Sequence, residues 1–309
     1  MTDVTTPAAR DRATRQFEVD SDGVPRGQAV LDGLLALLDV RELEPDVYQG
    51  FSPESRLVRV FGGQVAAQAL VAAGRTVPAD RSVHSLHSYF LRPGDPRQPI
   101  SYVVDRARDG RSFTTRRVVA EQHGTAIFTL SASFQIDEPG LDHQLQMPDV
   151  PEPDALPTYA ERLATATDAG PWAKIPRPVD IRHVTEPPWT RRPGAPEPGA
   201  RSQVWFRADG TMPDDPLLHI CLLTYVSDLF LLDSVLATHG RNPSAGNLQM
   251  ASLDHALWFH RPIRMDHWVL YDITSPSASG ARGLGIGTFF DAGGRMLATV
   301  VQEGLVRLR

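Results

Sequence analysis

Lys174 is the only lysine among 31 basic residues, and Cys221 is the only cysteine. These two counts remove much chemistry before any motif is sought. A P-loop needs its lysine, a protein kinase its strand lysine, and a Schiff-base enzyme would have to use Lys174 itself. One cysteine forms no intramolecular disulfide and leaves a cysteine metal cluster out of reach. Cys221 lies in the apolar run His219-Ile220-Cys221-Leu222-Leu223 without a basic neighbour, which reads as a small buried hydrophobe rather than a reactive thiol.

What remains are histidines, carboxylates, hydroxyls and amides. His84 and His87 lie three apart, and His255 and His260 occupy a similar stretch further on. A metal site would need a third ligand and an open position, so hydrogen bonding or pocket lining is the better reading. Asp254-His255 resembles an acid–base pair, yet neighbours on a strand face opposite sides. Ser275-Pro276-Ser277-Ala278-Ser279 lacks the spacing of a nucleophile elbow. Asp228 precedes an apolar stretch and reads as a helix N-cap or first-turn carboxylate. Gln302 sits in the apolar strand-like run Ala298-Thr299-Val300-Val301, where a buried amide must find partners. Ser252 alone carries no signal. Gly62-Gly63-Gln64 opens a helix and offers N–H groups to an anion, or the glycines only permit the turn. Arg106, Arg108, Arg111, Arg116 and Arg117 crowd the Asp109-Gly110 turn. They could grip phosphates bidentately, although a solvated hairpin face accounts for most of them.

These residues must be positioned by regular elements, and the punctuation places those in two halves. Twelve of the 26 prolines fall between Pro148 and Pro198, too dense for helix or central strand. The expected organisation is a disordered tail over 1–25, a first domain over 26–140, a proline-rich linker over 141–200 and a second domain over 201–309. The linker carries a short helix near Tyr159 to Thr167. In the first domain, Val65, Ala69, Leu70 and Ala73 mark a helix. Strands follow near 100–106, 112–120 and 126–135, with turns at Asp109-Gly110 and His123-Gly124. In the second, a helix over Asp228 to His239 is stopped by Gly240. Strands follow near 252–259, 268–274, 284–290 and 296–306. Tyr89-Phe90-Leu91-Arg92-Pro93 echoes Trp258-Phe259-His260-Arg261-Pro262, and Gly124 echoes Gly294, about 170 residues apart. Two repeats of one helix against an antiparallel sheet give an α+β plan.

Several long motifs now carry a resemblance. Val60-Phe61-Gly62-Gly63-Gln64-Val65, Val83-His84-Ser85-Leu86-His87-Ser88-Tyr89-Phe90-Leu91-Arg92-Pro93-Gly94-Asp95 and Asp109-Gly110-Arg111-Ser112-Phe113 stand in the first half. Tyr225-Val226-Ser227-Asp228-Leu229, Asp254-His255-Ala256-Leu257-Trp258-Phe259-His260-Arg261-Pro262, Ser275-Pro276-Ser277-Ala278-Ser279 and Val301-Gln302-Glu303-Gly304 stand in the second. The sequence resembles the acyl-CoA thioesterase II (TesB-like) family over roughly Phe51 to Arg307. The resemblance implies a double hotdog fold, with two hotdog units in one chain and a homodimer or higher homo-oligomer in solution. It implies hydrolysis of acyl-CoA to a carboxylic acid and CoA, with no cofactor and no metal. It also implies a catalytic trio at Asp228, Ser252 and Gln302, where the family often shows threonine in place of Ser252. Substrate contacts are expected at Gly62, Gly63, Gln64 and Arg111, and the alternating glycines of Gly283-Leu284-Gly285-Ile286-Gly287 fit close approach of an acyl chain or a bulge.

Composition bounds the alternatives. A formal charge of −6 argues against nucleic acid as a partner. The apolar stretch Ala29 to Val40 is interrupted by Asp32 and Asp39 and is far short of a membrane span, and the N-terminus has no signal-peptide core. A cytoplasmic location is the default. Two other readings stay open: a non-catalytic acyl-CoA sensor of hotdog fold, and a hotdog dehydratase or acyltransferase, for which the trio offers no histidine.

Overall fold

A computed structural model describes residues 18–19, 24–53, 58–166, 175–190, 201–242 and 247–309. The N-terminal half opens with a short pairing of β1 (Glu18–Val19) and β2 (Pro25–Arg26), then α1 (Gln28–Leu38), β3 (Arg41–Glu44) and β4 (Val47–Gly50). The long helix α2 (Gly62–Gly74) follows, with strands β5 (Arg81–Phe90), β6 (Ile100–Asp109), β7 (Phe113–Gln122) and β8 (Thr125–Ile136). After α3 (Tyr159–Ala164) the plan recurs as β9 (Val179–His183), β10 (Arg201–Ala208), α4 (Pro216–Phe230) and α5 (Asp233–Thr238). It ends with β11 (Leu248–Ser252), β12 (Asp254–Phe259), β13 (Val269–Ser279), β14 (Arg282–Asp291) and β15 (Met296–Leu308).

Strand order shows the repeat. The first half runs β3-β4-β6-β7-β8-β5 and the second, from its far edge, β9-β10-β13-β14-β15-β12, with β11 also pairing β15. Each half is a hotdog unit, and β5 pairs β12 antiparallel so that one 13-stranded sheet results. The seam obeys the repeat. Tyr89 pairs Asp254, and moving each partner to its counterpart in the other half gives Trp258 and Ser85, which also pair. His87 stacks edge-on against Trp258 across this seam, 5.1 Å between centroids.

The two central helices lie antiparallel against each other inside the curled sheet. A Cβ on Gly63 would come within 2.4 Å of the Tyr225 carbonyl, and one on Gly74 within 2.6 Å of a Leu217 methyl. The Gly- and Ala-rich composition of α2 is therefore what lets the helices touch. Asp215 caps α4, accepting from Leu217 N–H with Pro216 in the first turn, the expected start signal. From Pro216 to Thr238 the chain is long and apolar enough to cross a membrane by length and composition, but 67% of that apolar window is buried inside the fold, as in a core helix. One hydrophobic cluster runs through both halves and includes Leu70, Phe128, Cys221 and Phe289.

Three expectations need correction. The helix expected over Asp228 to His239 begins at Pro216 instead and breaks after Phe230, so Asp228 sits in the last turn of α4 rather than at a helix start. The segment 141–200 is not only linker: Val179–His183 pairs with β10 and alternates buried and half-buried residues. Its earlier part packs on the sheet, where the Trp205 indole donates to Pro151 O at 3.0 Å. The strand expected over 252–259 is two strands, interrupted at Leu253. Of the tail over 1–25, residues 1–17 and 20–23 lie outside the described residues, as do Lys174 and residues 191–200.

Candidate active site

The site forms where α2 of one half meets α4 of the other. The close approach leaves no room for a side chain at Gly62, where a Cβ would stand 2.8 Å from Asp228 Oδ2. Gly63 N–H, in the first turn of α2, donates to Asp228 Oδ2 at 2.9 Å. An Asp in the last turn of α4 faces that helix's carbonyl ends, which is unfavourable, and the N-terminus of α2 offsets it. The anion expected at the Gly62-Gly63 helix start is thus a carboxylate of the protein itself.

The other oxygen gathers the remaining trio. Ser252 Oγ donates to Asp228 Oδ1 at 2.9 Å, and Gln302 Nε2 donates to the same oxygen at 2.9 Å and to Ser252 Oγ at 2.7 Å. Ser252 ends β11 and Gln302 lies on β15, where Gly285 of β14 pairs with it. Three residues from three elements therefore share one hydrogen-bonded cluster. An ionised carboxylate offers about four acceptor positions, and among the described residues three donors reach it.

Asp228 and Ser252 open onto a cavity of about 560 Å³. Its wall includes Phe61, Phe90, Phe128, Leu229 and Leu232, with Arg59 and Arg92 among the polar groups. Tyr159, Arg177 and Trp189, all from the proline-rich connector, also line it. Asp233, in the first turn of α5, is on the same wall. Burial pushes its carboxyl up to about 7, against the pull of the Arg177 guanidinium. Arg177 in turn donates to the Tyr159 hydroxyl at 3.0 Å and lies over its ring.

Other expected residues fall elsewhere. Gln64 is buried and turned away, donating to Phe51 O and Ser52 Oγ at 3.0 and 3.1 Å, and does not line the cavity. Arg111 is exposed at the β6–β7 turn, outside this wall, and its carbonyl accepts from Arg81. Both were expected to touch substrate, and neither lines this cavity. Gly283, Gly285 and Gly287 admit protein rather than a ligand: a Cβ there would meet Val235, the Leu231 carbonyl and Tyr271. Of the arginine cluster, Arg116 is buried on Thr76 and Asp109, with Nε to Thr76 Oγ1 at 2.8 Å. His84 bonds Ser133, and His260 bonds Thr299. Burial pushes the Cys221 thiol up, away from reactivity. Among the described residues no group of three or more His, Cys, Asp or Glu is placed to hold a metal ion.

His255, for which the sequence supports hydrogen bonding or pocket lining, does the first. Its Nδ1 lies 2.6 Å from Gln302 Oε1 and its Nε2 2.7 Å from Ser227 Oγ. Asp254 faces the other way, accepting from Glu303 N–H, so the two neighbours indeed do not act as a pair. The ring is fully buried, three residues past Ser252.

Comparison with known proteins places this double hotdog chain among thioester-processing proteins. Residues 178–305 match the acyl-CoA thioesterase family, and residues 53–135 match the acyl-CoA thioesterase N-terminal domain. The chain is 37% identical to acyl-CoA thioesterase 2 of Haemophilus influenzae, over 90% of this chain and 98% of that one. It is 39% identical to acyl-coenzyme A thioesterase 8 of Mus musculus, over 89% and 88%. Among solved structures, the acyl-CoA thioesterase II TesB2 from Mycobacterium marinum superposes with a TM-score of 0.74 at 45% identity, covering 89% of this chain and 98% of that one. The chain belongs to the acyl-CoA thioesterase family and is a thioester hydrolase.

Proposed function

We propose that this chain hydrolyses acyl-CoA to a free carboxylic acid and CoA, using Asp228, Ser252 and Gln302. The observation that carries the reading is the Asp228 carboxylate, held by Gly63, Ser252 and Gln302 and lining a largely apolar cavity. A water held there by Asp228 is oriented, and gives up its proton to the carboxylate as it attacks the thioester carbon. Ser252 and Gln302 fix the carboxylate by donating to its Oδ1. As the tetrahedral intermediate forms, its oxygen gains charge and takes a backbone N–H from the first turn of α2 at Gly62, which lines the cavity. Collapse expels the CoA thiolate; a thiol of pKa about 8.5 leaves without a strong general acid. The acyl chain occupies the apolar wall, whose volume falls within the usual range for ligand pockets.

The test is thiol release from a panel of short, medium and long acyl-CoAs by wild type, Asp228→Ala and Asp228→Asn. Turnover by wild type, reduced about 10²- to 10⁴-fold in folded variants, supports the reading. Binding without turnover by wild type identifies a sensor. Equal turnover by both variants removes Asp228 from the site.

A further inference from the structure

We infer that His255 is a positioning residue that holds the Gln302 amide the right way round for the reaction. The inference rests on the hydrolytic reading above. It follows from hydrogen-bond roles that admit one solution at the ring's Nδ1. An amide oxygen only accepts, so the 2.6 Å contact between Gln302 Oε1 and His255 Nδ1 requires the ring proton on Nδ1. In the neutral ring Nε2 is then an acceptor, and the donor beside it is the Ser227 hydroxyl at 2.7 Å. The Thr224 carbonyl, 2.8 Å away, is a second acceptor for that hydrogen.

Fixing Oε1 fixes Nε2. A Gln side chain turned by 180° would aim its oxygen at Asp228 Oδ1, which also accepts, and would lose the 2.7 Å donation to Ser252. Ser227 and Asp228 are consecutive on α4, so the contacts close a loop: Ser227 to His255 to Gln302 to Asp228, and back along the helix. The Ser227 carbonyl is itself held by the Tyr271 hydroxyl at 2.9 Å, and the His255 carbonyl by Ser88 Oγ at 2.8 Å. The ring is buried and no cavity residue, so it touches neither substrate nor water; it acts through Gln302.

Two substitutions separate this role from a merely structural one. His255→Asn keeps an N–H near the Nδ1 position, and His255→Leu removes it while keeping bulk. With His255→Leu, kcat falls on the order of 10²-fold, as a misplaced catalytic group does, and KM for acyl-CoA stays within about twofold. His255→Asn recovers to within about fivefold of wild type. Equal loss in both variants, or a change confined to KM, overturns the inference even where Asp228→Asn has confirmed the hydrolytic reading. A second readout does not depend on turnover. In ¹⁵N-histidine-labelled wild type, the His255 ring shows the Nδ1-protonated tautomer, and a proton found on Nε2 instead overturns the inference whatever the enzyme's activity.

Discussion

The two hotdog units share strand order and a symmetric seam, yet their equivalent interiors are filled in opposite ways. In the C-terminal unit Gly285 pairs Gln302; at the matching place of the N-terminal unit Arg116 pairs Ala132. There the Arg116 guanidinium fills the space between strand and helix and satisfies Thr76 O at 3.1 Å. In the C-terminal unit that space is occupied by the Leu231 carbonyl, which Gly285 admits, and the polar group moves to β15 as Gln302. The last turn of α2 carries buried Ala72 and Ala73, whereas that of α4 carries Asp228. One unit has its polar residues bound up in packing and the other gathers them in the Asp228–Ser252–Gln302 cluster, to which the first brings Gly62, Gly63 and part of the cavity wall.

Substitutions can sharpen that contrast. Arg116→Met leaves Thr76 O without its partner and should lower unfolding free energy by about 2–4 kcal/mol, read as a shifted urea midpoint, with kcat within twofold of wild type. A large drop in kcat at unchanged stability would mean that the N-terminal unit takes part in the chemistry. Gly62→Ala should do the reverse. Its Cβ presses on Asp228 Oδ2 and on the Phe90 ring, so kcat falls about 10²-fold while stability changes by about 1 kcal/mol or less.

The cavity wall supplies a third test, by pH. Asp233 titrates near 7 in the fold and near 3.8 unfolded, so folding takes up a proton between those values and stability declines as pH rises from about 4 to 7. Asp233→Asn should remove that decline, gaining about 1–3 kcal/mol over wild type above pH 7 and nothing at pH 4, as followed by urea melts. His183, buried among Tyr159, Trp189 and Phe230, is lowered to about 3. Its contribution has the opposite sign, present above about 6.5 and lost as pH falls. The smallest effect belongs to Ser252→Thr. The β-branch narrows the rotamers without removing the hydroxyl, and kcat in the thiol-release assay should stay within about twofold of wild type.

Local patterning exposed much of this architecture, and failed where burial is complete. The alternating strands β6, β7, β8, β14 and β15 and the turns at His123-Gly124 and Gly294 were legible because one face of each strand meets solvent. Helix α4 was not. It is enclosed between α2 and the sheet, so its apolar residues go all the way round and leave no 3.6-residue period. Its start is marked by Asp215-Pro216, where the carboxylate caps the first turn. Strand β9 alternates over Val179 to His183, but five residues set among dense prolines carry too short a pattern to read as a strand. At the site, Gln302 could be singled out as an amide in apolar surroundings, but Asp228 and Ser252 drew their assignment from family resemblance. No spacing rule joins residues 24 and 50 apart when β11, β12 and a helix break set their geometry. For His255 the sequence supports hydrogen bonding or pocket lining, and only the fold names Gln302 and Ser227 as the partners.

The Gly63–Asp228 bond joins residues 165 apart, and the seam joins His255 to Ser88 across 167. Contacts so distant along the chain form late, because loop closure must precede any reward for making them. Refolding should therefore restore helix and sheet signals before thioester turnover, with the first active molecules appearing only in the slowest phase. The enzyme switches on as its two halves lock together, and a chain stalled with either half unformed stays silent.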